Sequence, residues 1–320
     1  MPTKMMRSIV KKLPKAIRAP ILRSQIEVDE TKLEGLTFKI AMTIDELDQS
    51  YRLVHDAYVR QGYMDQVASG IRINIHHALP LTTTFIGKTK DKIALTMTIF
   101  PDSDIIGLPM DCIYNEELNR LRKKGRRIAE VGSLATAPDF RNSNQNVPMH
   151  GNKIMYTYAK KYLKIEDLII AIHPKQKWFY ENILLFEPIG ELKHHPYVKQ
   201  NPAIAMRLDL RTAQKNYQKI YDGKKKEQDL HHFFCIKNSQ CIELPQRHEP
   251  LKIWDLEKWT YFFEDGFNHL HGINPKIIQH IKDQYNQIRP ATSVVLQQRP
   301  YNELLLIASR LHHQIQPSLL

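Results

Sequence analysis

Leu36-Thr-Phe-Lys-Ile-Ala-Met-Thr-Ile-Asp-Glu-Leu-Asp-Gln-Ser-Tyr-Arg-Leu-Val-His-Asp-Ala-Tyr58 is where the spacing of apolar residues changes from two to between three and four. Leu36, Phe38, Ile40 and Met42 alternate along the chain, the pattern of a half-buried strand. Thr43 then stands three residues before Glu46. That spacing is a capping box, in which hydroxyl and carboxylate satisfy the open amides of a helix's first turn. Ile44, Leu47, Tyr51, Val54 and Tyr58 follow at intervals of three and four, so the helix buries one stripe. A strand running straight into an amphipathic helix points to a layered fold of sheet and helices.

Reading onward, Thr83–Gly87 and Lys92–Phe100 form a hairpin around 88–91, with Ile93, Leu95, Met97 and Ile99 on one face. A helix over Asn115–Lys124 precedes a strand at Ile128–Ala137. A long helix over Met149–Lys164 leads into the apolar strand Leu168–Ile172. A helix over Lys175–Leu184 comes before strands at Phe186–Lys193 and Ala203–Leu210. This alternation predicts an α+β fold with an open mixed sheet and helices on both faces. No Gly-x-Gly-x-x-Gly follows a strand, and the sequence holds no Walker loop, Gly-x-Ser-x-Gly elbow or His-Glu-x-x-His helix. Dinucleotide binders, P-loop enzymes, α/β-hydrolases and zincins are thereby disfavoured.

The 320 residues are 42% hydrophobic and 25% charged, the composition of a globular chain. Net charge is +12, and more than half of it sits in residues 1–24, where seven Lys/Arg meet no acid. A basic surface throughout, as in a nucleic-acid binder, is not indicated. Met5, Met6, Ile9, Val10, Leu13 and Ile17 recur at helical spacing in this arm, which reads as an amphipathic helix for an anionic membrane surface. Pro14 and Pro20 interrupt it, and a loosely ordered extension is the competing reading. The longest apolar runs are five residues, far short of the ~18 a membrane span needs. Lysines and prolines break the first apolar positions, so no signal peptide is expected. Three cysteines at 112, 235 and 241 form no even disulfide framework and no metal-ligand spacing, which suits a cytoplasmic protein. Four His-His pairs read as surface or packing residues, because adjacent side chains point apart. Past the polar run 222–229 a hairpin is expected at 232–236 and 241–244, then helices near 252–270, 275–289 and 300–314. The organisation is therefore an arm at 1–30, a catalytic-type domain at 31–214 and a mostly helical region at 215–320.

The element order resembles that of the GNAT acyltransferase superfamily, as does Trp178-Phe-Tyr-Glu-Asn-Ile-Leu-Leu-Phe-Glu-Pro-Ile-Gly190. Two longer stretches are more specific. One is Gly107-Leu-Pro-Met-Asp111 with Glu116-Glu-Leu118 and Leu121-Arg-Lys-Lys-Gly-Arg-Arg-Ile-Ala-Glu-Val-Gly-Ser-Leu-Ala135. The other is His195-Pro-Tyr-Val198 with Asn201-Pro-Ala-Ile-Ala-Met-Arg-Leu-Asp-Leu210. Together they resemble the N-acyl amino acid synthases, relatives of the acyl-homoserine-lactone synthases.

The resemblance implies transfer of a long acyl chain from acyl carrier protein, as a phosphopantetheine thioester, to the amine of an amino acid. No bound cofactor or metal is implied. Glu130 matches the relatives' strand glutamate and would accept the ammonium proton, with burial raising its pKa. The competing reading pairs it at the surface with Arg126 or Arg127. Backbone amides around Leu134, Ala135 and Thr136 would face the thioester oxygen. Tyr180 matches the tyrosine that protonates the departing thiol, although such aromatic clusters also serve as core. His173 closes a strand and is read either as a proton relay or as packing. Arg52 and Arg60 on the first helix are candidates for the acceptor's carboxylate, or ordinary solvated arginines.

Acetyl-CoA users of the superfamily carry a Gly-rich pyrophosphate loop, whereas here 141–151, from Arg141 to Gly151, holds one glycine and a proline. A single phosphate on a carrier's pantetheine arm suits it better. Arg122, Lys123, Lys124, Arg126 and Arg127 then offer a docking patch for an acidic carrier. The alternatives are an acetyl-CoA-dependent N-acetyltransferase and a degenerate domain acting as a binding or effector module. A lactone synthase using S-adenosylmethionine is disfavoured, since only Asp65 stands for its acidic cluster.

Overall fold

A computed structural model describes residues 14–286 apart from 34, 142, 265–269 and 271. The opening stretch folds as its periodicity predicts. Strand β1 (Thr37–Ile40) buries Phe38 and Ile40, and helix α2 (Ile44–Arg60) follows at once. The Thr43 hydroxyl accepts from the Glu46 amide at 3.2 Å, while the Glu46 carboxylate reaches back to the Met42 amide at 3.1 Å. Ahead of these lies α1 (Lys15–Arg23), which continues through Pro20 instead of breaking there. Arg23 Nε of α1 donates to the Asn182 carbonyl at 2.9 Å, so this part of the arm packs on the body. The arm's positions before 14 lie outside the described residues.

The remaining strands are β2 (Thr83–Lys88), β3 (Ile93–Pro101), β4 (Ile128–Thr136), β5 (Asp167–Ile172), β6 (Glu187–Pro188), β7 (Lys193–His195) and β8 (Asn201–Asp209). They order as β1-β2-β3-β4-β5-β8-β6, with β7 also on β8; every pairing is antiparallel except β4 with β5. The expected strand over 186–193 shrinks to two short pieces, because Pro188 offers no amide to a ladder and Gly190 lies against the Tyr114 ring. β3 is buried along both faces rather than one, since helices cover the sheet on each side.

Helix α3 (Asp111–Arg122) shares one face with α2: Tyr114 of α3 donates to the Ala203 carbonyl at 2.7 Å, and Phe100 and Tyr51 both meet the His77 ring. The other face carries α4 (Val147–Lys161) and α6 (Leu210–Tyr221), joined by Tyr156 and Tyr217. A short α5 (Lys177–Asn182) stands between β5 and β8 in the chain. The fold is the open mixed sheet with helices on both faces that the sequence predicts.

The region after 214 departs most from expectation. Residues His232–Ile236 form a π-helical turn instead of a hairpin arm. The segment around Cys241 pairs instead with β1, the Phe38 amide donating to the Cys241 carbonyl at 2.7 Å. Of the helix expected over 252–270, the described residues show α7 (Leu256–Trp259) and a π turn at Thr260–Glu264. α8 (Pro275–Asn286) is present, and the 300–314 helix lies outside the described residues. Phe262 packs edge-on to Tyr51 of α2, and the Tyr285 hydroxyl donates to the Ala78 carbonyl, so this region covers the α2 face. Among the described residues no helix is long and apolar enough to cross a membrane.

Candidate active site

The functional geometry starts from a break in the sheet. β4 and β5 pair only through Ile128–Asp167, Ala129–Leu168 and Glu130–Ile169. Beyond Glu130 each strand stays with its outer neighbour, β4 with β3 as far as Thr136 and β5 with β8 as far as Ile172. Between them a gap opens in which inward-facing backbone groups have no ladder partner. A bulge sharpens the divergence: Thr96 faces Ala135 while Thr98 faces Gly132, so Ser133 and Leu134 together oppose Met97. Ser133 adopts the left-handed conformation there, at φ 51°.

A cavity of about 730 Å³ fills this gap, a size suited to a substrate-scale ligand. Glu130, Leu134, His173 and Tyr180, four of the residues singled out in the sequence, line it. Glu130 is 7% exposed and its Oε2 accepts one hydrogen bond, from the Met110 amide at 2.8 Å. Burial pushes its pKa from the ordinary 4.5 to about 8, with the Asp111 charge adding to the rise and the Met110 amide and Arg72 opposing it. The surface pairing with Arg126 does not occur: that guanidinium is itself buried, held by Asp167 at 2.6 Å and Asp209 at 2.8 Å. Tyr180 is packed edge-on to Phe179 and Phe186, and burial pushes its hydroxyl up to about 12. His173 caps the turn after β5, its Nδ1 accepting from the Lys175 amide at 3.1 Å.

Other expected residues stand elsewhere. Ala135 and Thr136 are in the β3 ladder just beyond the bulge, and the Thr136 carbonyl accepts from Arg141 Nε at 2.8 Å. Gly151 faces β3, where an added Cβ would approach Leu95 Cδ2 to 2.6 Å, so its smallness serves packing there. Arg52 lies along α2, chelated by Asp48 at 2.6 and 3.1 Å, and Arg60 is exposed at the helix end. Neither reaches the cavity wall. In the basic run Arg122 is committed to Asp102 and Asp111, and Arg126 to Asp167 and Asp209. Lys123, Lys124 and Arg127 remain exposed at the turn into β4.

Several cavity residues carried no motif. Arg72 lines the wall with its guanidinium over the Tyr58 ring at 4.1 Å, and among the described residues it has no carboxylate partner. A signal existed in Ile71-Arg-Ile-Asn-Ile75, an apolar alternation that sets Arg72 and Asn74 on one side. His76 and His195 also line the cavity, and burial lowers the pKa of both. From the C-terminal region Ile273 completes the wall, which gives that region a place in the site.

No curated protein matches the chain. Among solved structures it is similar to FeeM, an N-acyl amino acid synthase from uncultured soil microbes, at 29% identity over 56% of this chain and 93% of that one, TM-score 0.49. It is also similar to the CoA-dependent acyl-homoserine lactone synthase BjaI (13% identity, 67% and 96% covered, TM-score 0.46). The AHL synthase LasI aligns at 14% identity, 56% and 93% covered, TM-score 0.41. The model of the family described as N-acyl amino acid synthase FeeM matches residues 49–209, just over half of the 320, and that span contains every strand of the splayed β4–β5 site. The chain therefore belongs to the FeeM family of N-acyl amino acid synthases and is an N-acyltransferase.

Proposed function

We propose that this enzyme transfers a long acyl chain from the phosphopantetheine thioester of acyl carrier protein to the α-amine of an amino acid. The observation that carries the reading is Glu130, a buried carboxyl with a pKa near 8 at the root of the gap between β4 and β5. An ammonium substrate needs a base of that strength, since an ordinary carboxylate would hold its proton too weakly at neutral pH.

The amino acid enters with its carboxylate on Arg72, whose fork suits bidentate binding, and its ammonium proton passes to Glu130. The freed nitrogen lone pair attacks the thioester carbon, forming the C–N bond and placing a negative charge on oxygen. Unpaired amides along the β4 bulge receive that charge. Collapse restores the carbonyl and breaks the C–S bond. Tyr180, fully protonated at neutral pH, gives its proton to the departing thiolate, its phenolate takes the second proton from the amide nitrogen, and Glu130 releases the first to solvent.

The donor assignment rests on 141–151. Its helix begins with Asn146 in the left-handed region and Pro148 in the first turn, and its glycine is spent on packing. Few amides remain there to cradle two phosphates, while one pantetheine phosphate needs fewer. The exposed Lys123, Lys124 and Arg127 would steer an acidic carrier.

The test is a panel of acyl-carrier-protein, acyl-CoA and acetyl-CoA donors offered with the common amino acids, products being read by mass spectrometry. N-acyl amino acid from the carrier donor is expected. A preference for acetyl-CoA, or product only with amines lacking a carboxylate, would overturn the assignment.

A further inference from the structure

Beside Phe38 of β1, on the α4 face of the sheet, sits an imidazole without a hydrogen-bond partner. His150 of α4 is fully buried, and neither of its ring nitrogens has a hydrogen-bond partner. Near it lies the Glu30 carboxylate, which takes a hydrogen bond from the Ser239 hydroxyl and whose Oε1 makes no other close one. Buried polar atoms are almost always satisfied, so a fully buried imidazole with both nitrogens unpartnered points to a ligand. Cys241 joins them: the donor atoms of Glu30, His150 and Cys241 lie within 4.8 Å of one another.

We propose that Glu30, His150 and Cys241 form a structural site for a zinc-class divalent cation. The donor set of carboxylate oxygen, imidazole nitrogen and thiolate sulfur suits zinc, and water would fill the fourth tetrahedral position. Bonds of ~2.0–2.3 Å to each donor place ligand atoms under about 4 Å apart, so the three side chains close by roughly one ångström on loading. Binding displaces the Cys241 proton, and one carboxylate with one thiolate then balances the dication.

The outer groups are arranged for this. Glu30 Oε2 is occupied by Lys237 Nζ at 3.2 Å, which leaves Oε1 as the open donor. The other ammonium, Lys153, stands 4.0 Å from Oε1 and is turned to the Lys237 carbonyl at 2.8 Å. The Phe38 and Phe233 rings pack on the imidazole, keeping bulk water off it. Cys241 itself is held to β1 by main-chain hydrogen bonds on either side of Ile242. The three ligands come from the N-terminal arm, a helix of the acyltransferase sheet and the C-terminal region. A cation here would staple these parts together, and with 90 residues between His150 and Cys241 no sequence spacing could announce it.

The full-length protein, stripped with chelator, is titrated with cobalt(II) alone and in parallel with zinc(II). One equivalent of cobalt should give tetrahedral visible bands and a near-ultraviolet thiolate charge-transfer band. Zinc at about a hundred times its Kd should raise Tm by at least ~5 °C. Cys241→Ser should abolish the charge-transfer band and His150→Phe the Tm shift, while Cys235→Ser keeps both. The proposal fails if cobalt gives no thiolate band in the wild type, or if the band survives Cys241→Ser. It fails equally if zinc leaves Tm unchanged, in which case buried water satisfies these atoms. Acyl transfer enters none of these readouts, so the outcome is separable from the proposed activity.

Discussion

Replacing Glu130 by Gln should separate what this residue does for the reaction from what it costs the fold. In the folded chain the carboxyl keeps its proton up to about pH 8, whereas an unperturbed one releases it near 4.5. Between these values folding takes up a proton, so stability falls as pH rises, opposite to the usual paired carboxylate. At ~1.36 kcal/mol for each tenfold change in proton affinity, holding Glu130 ionised in its pocket costs on the order of 4 kcal/mol by pH 9. Gln has the same shape, can still accept from the Met110 amide and never ionises. Its stability relative to wild type should therefore improve by that amount between pH 5 and pH 9, about 8 °C in Tm at ~2 °C per kcal/mol for a chain of this size. Turnover should fall by about 10²–10³ at every pH, and the wild-type rise in kcat/KM towards pH 8 should disappear with it. Urea unfolding of both proteins at pH 5, 7 and 9, beside pH–rate profiles, checks each half. A stability difference that stays flat with pH would refute the buried, ionisation-resisting carboxyl on which the mechanism stands.

The other expectations concern its neighbours. Arg72→Gln should raise KM for the amino acid about 10- to 100-fold while leaving KM for the donor unchanged, as expected for loss of a charge-assisted pair; an equal rise in both would remove Arg72 from the acceptor site. Tyr180→Phe should lower kcat about 10- to 100-fold, and donors with more acidic leaving thiols should recover much of it. Asp111→Asn removes a negative charge that raises the Glu130 pKa, so the acid limb of kcat/KM should shift to lower pH. Arg126→Ala leaves fully buried Asp167 without its main partner and should cost roughly 3–5 kcal/mol in urea unfolding.

How far the sequence speaks depends on whether a feature is local. The unit from β1 to α2 was legible because its period changes at a capping residue, and the capping box formed around Thr43 and Glu46. Glu130 and Tyr180 were legible through resemblance, and both stand at the cavity. The π turn at His232–Ile236 was not, since Phe-Phe-Cys-Ile is as apolar as a strand and only pairing decides its form. Its supposed partner around Cys241 bonds to β1, from which it is separated by some two hundred residues. Arg52 and Arg60 look like carboxylate binders by residue type, yet α2 turns them away from the gap, while Arg72 arrives from a loop with no motif. The left-handed Ser133 that opens the bulge carries no glycine to announce it.

An acid can serve as a base of unusual strength only if nothing nearby neutralises it, and the chain puts three arginines within eight residues of Glu130. Each is diverted. Arg122 is clamped by Asp102 at 2.7 Å and Asp111 at 2.6 Å. Arg126 is clamped by Asp167 and Asp209, with Arg207 completing the same cluster from β8. Arg127 follows Arg126 at the turn and points to solvent, its amide tied to Glu166. These ion pairs hold the lower, hydrogen-bonded half of the β4–β5 seam closed, since Asp167 opens β5 directly opposite Ile128. The same contacts that zip the strands as far as Glu130 thus withdraw the cations that would have lowered its pKa. Where the zipping stops, the carboxyl is left facing the gap with a single amide for company, and the geometry of the seam and the raised pKa of this carboxyl become one property of the sheet.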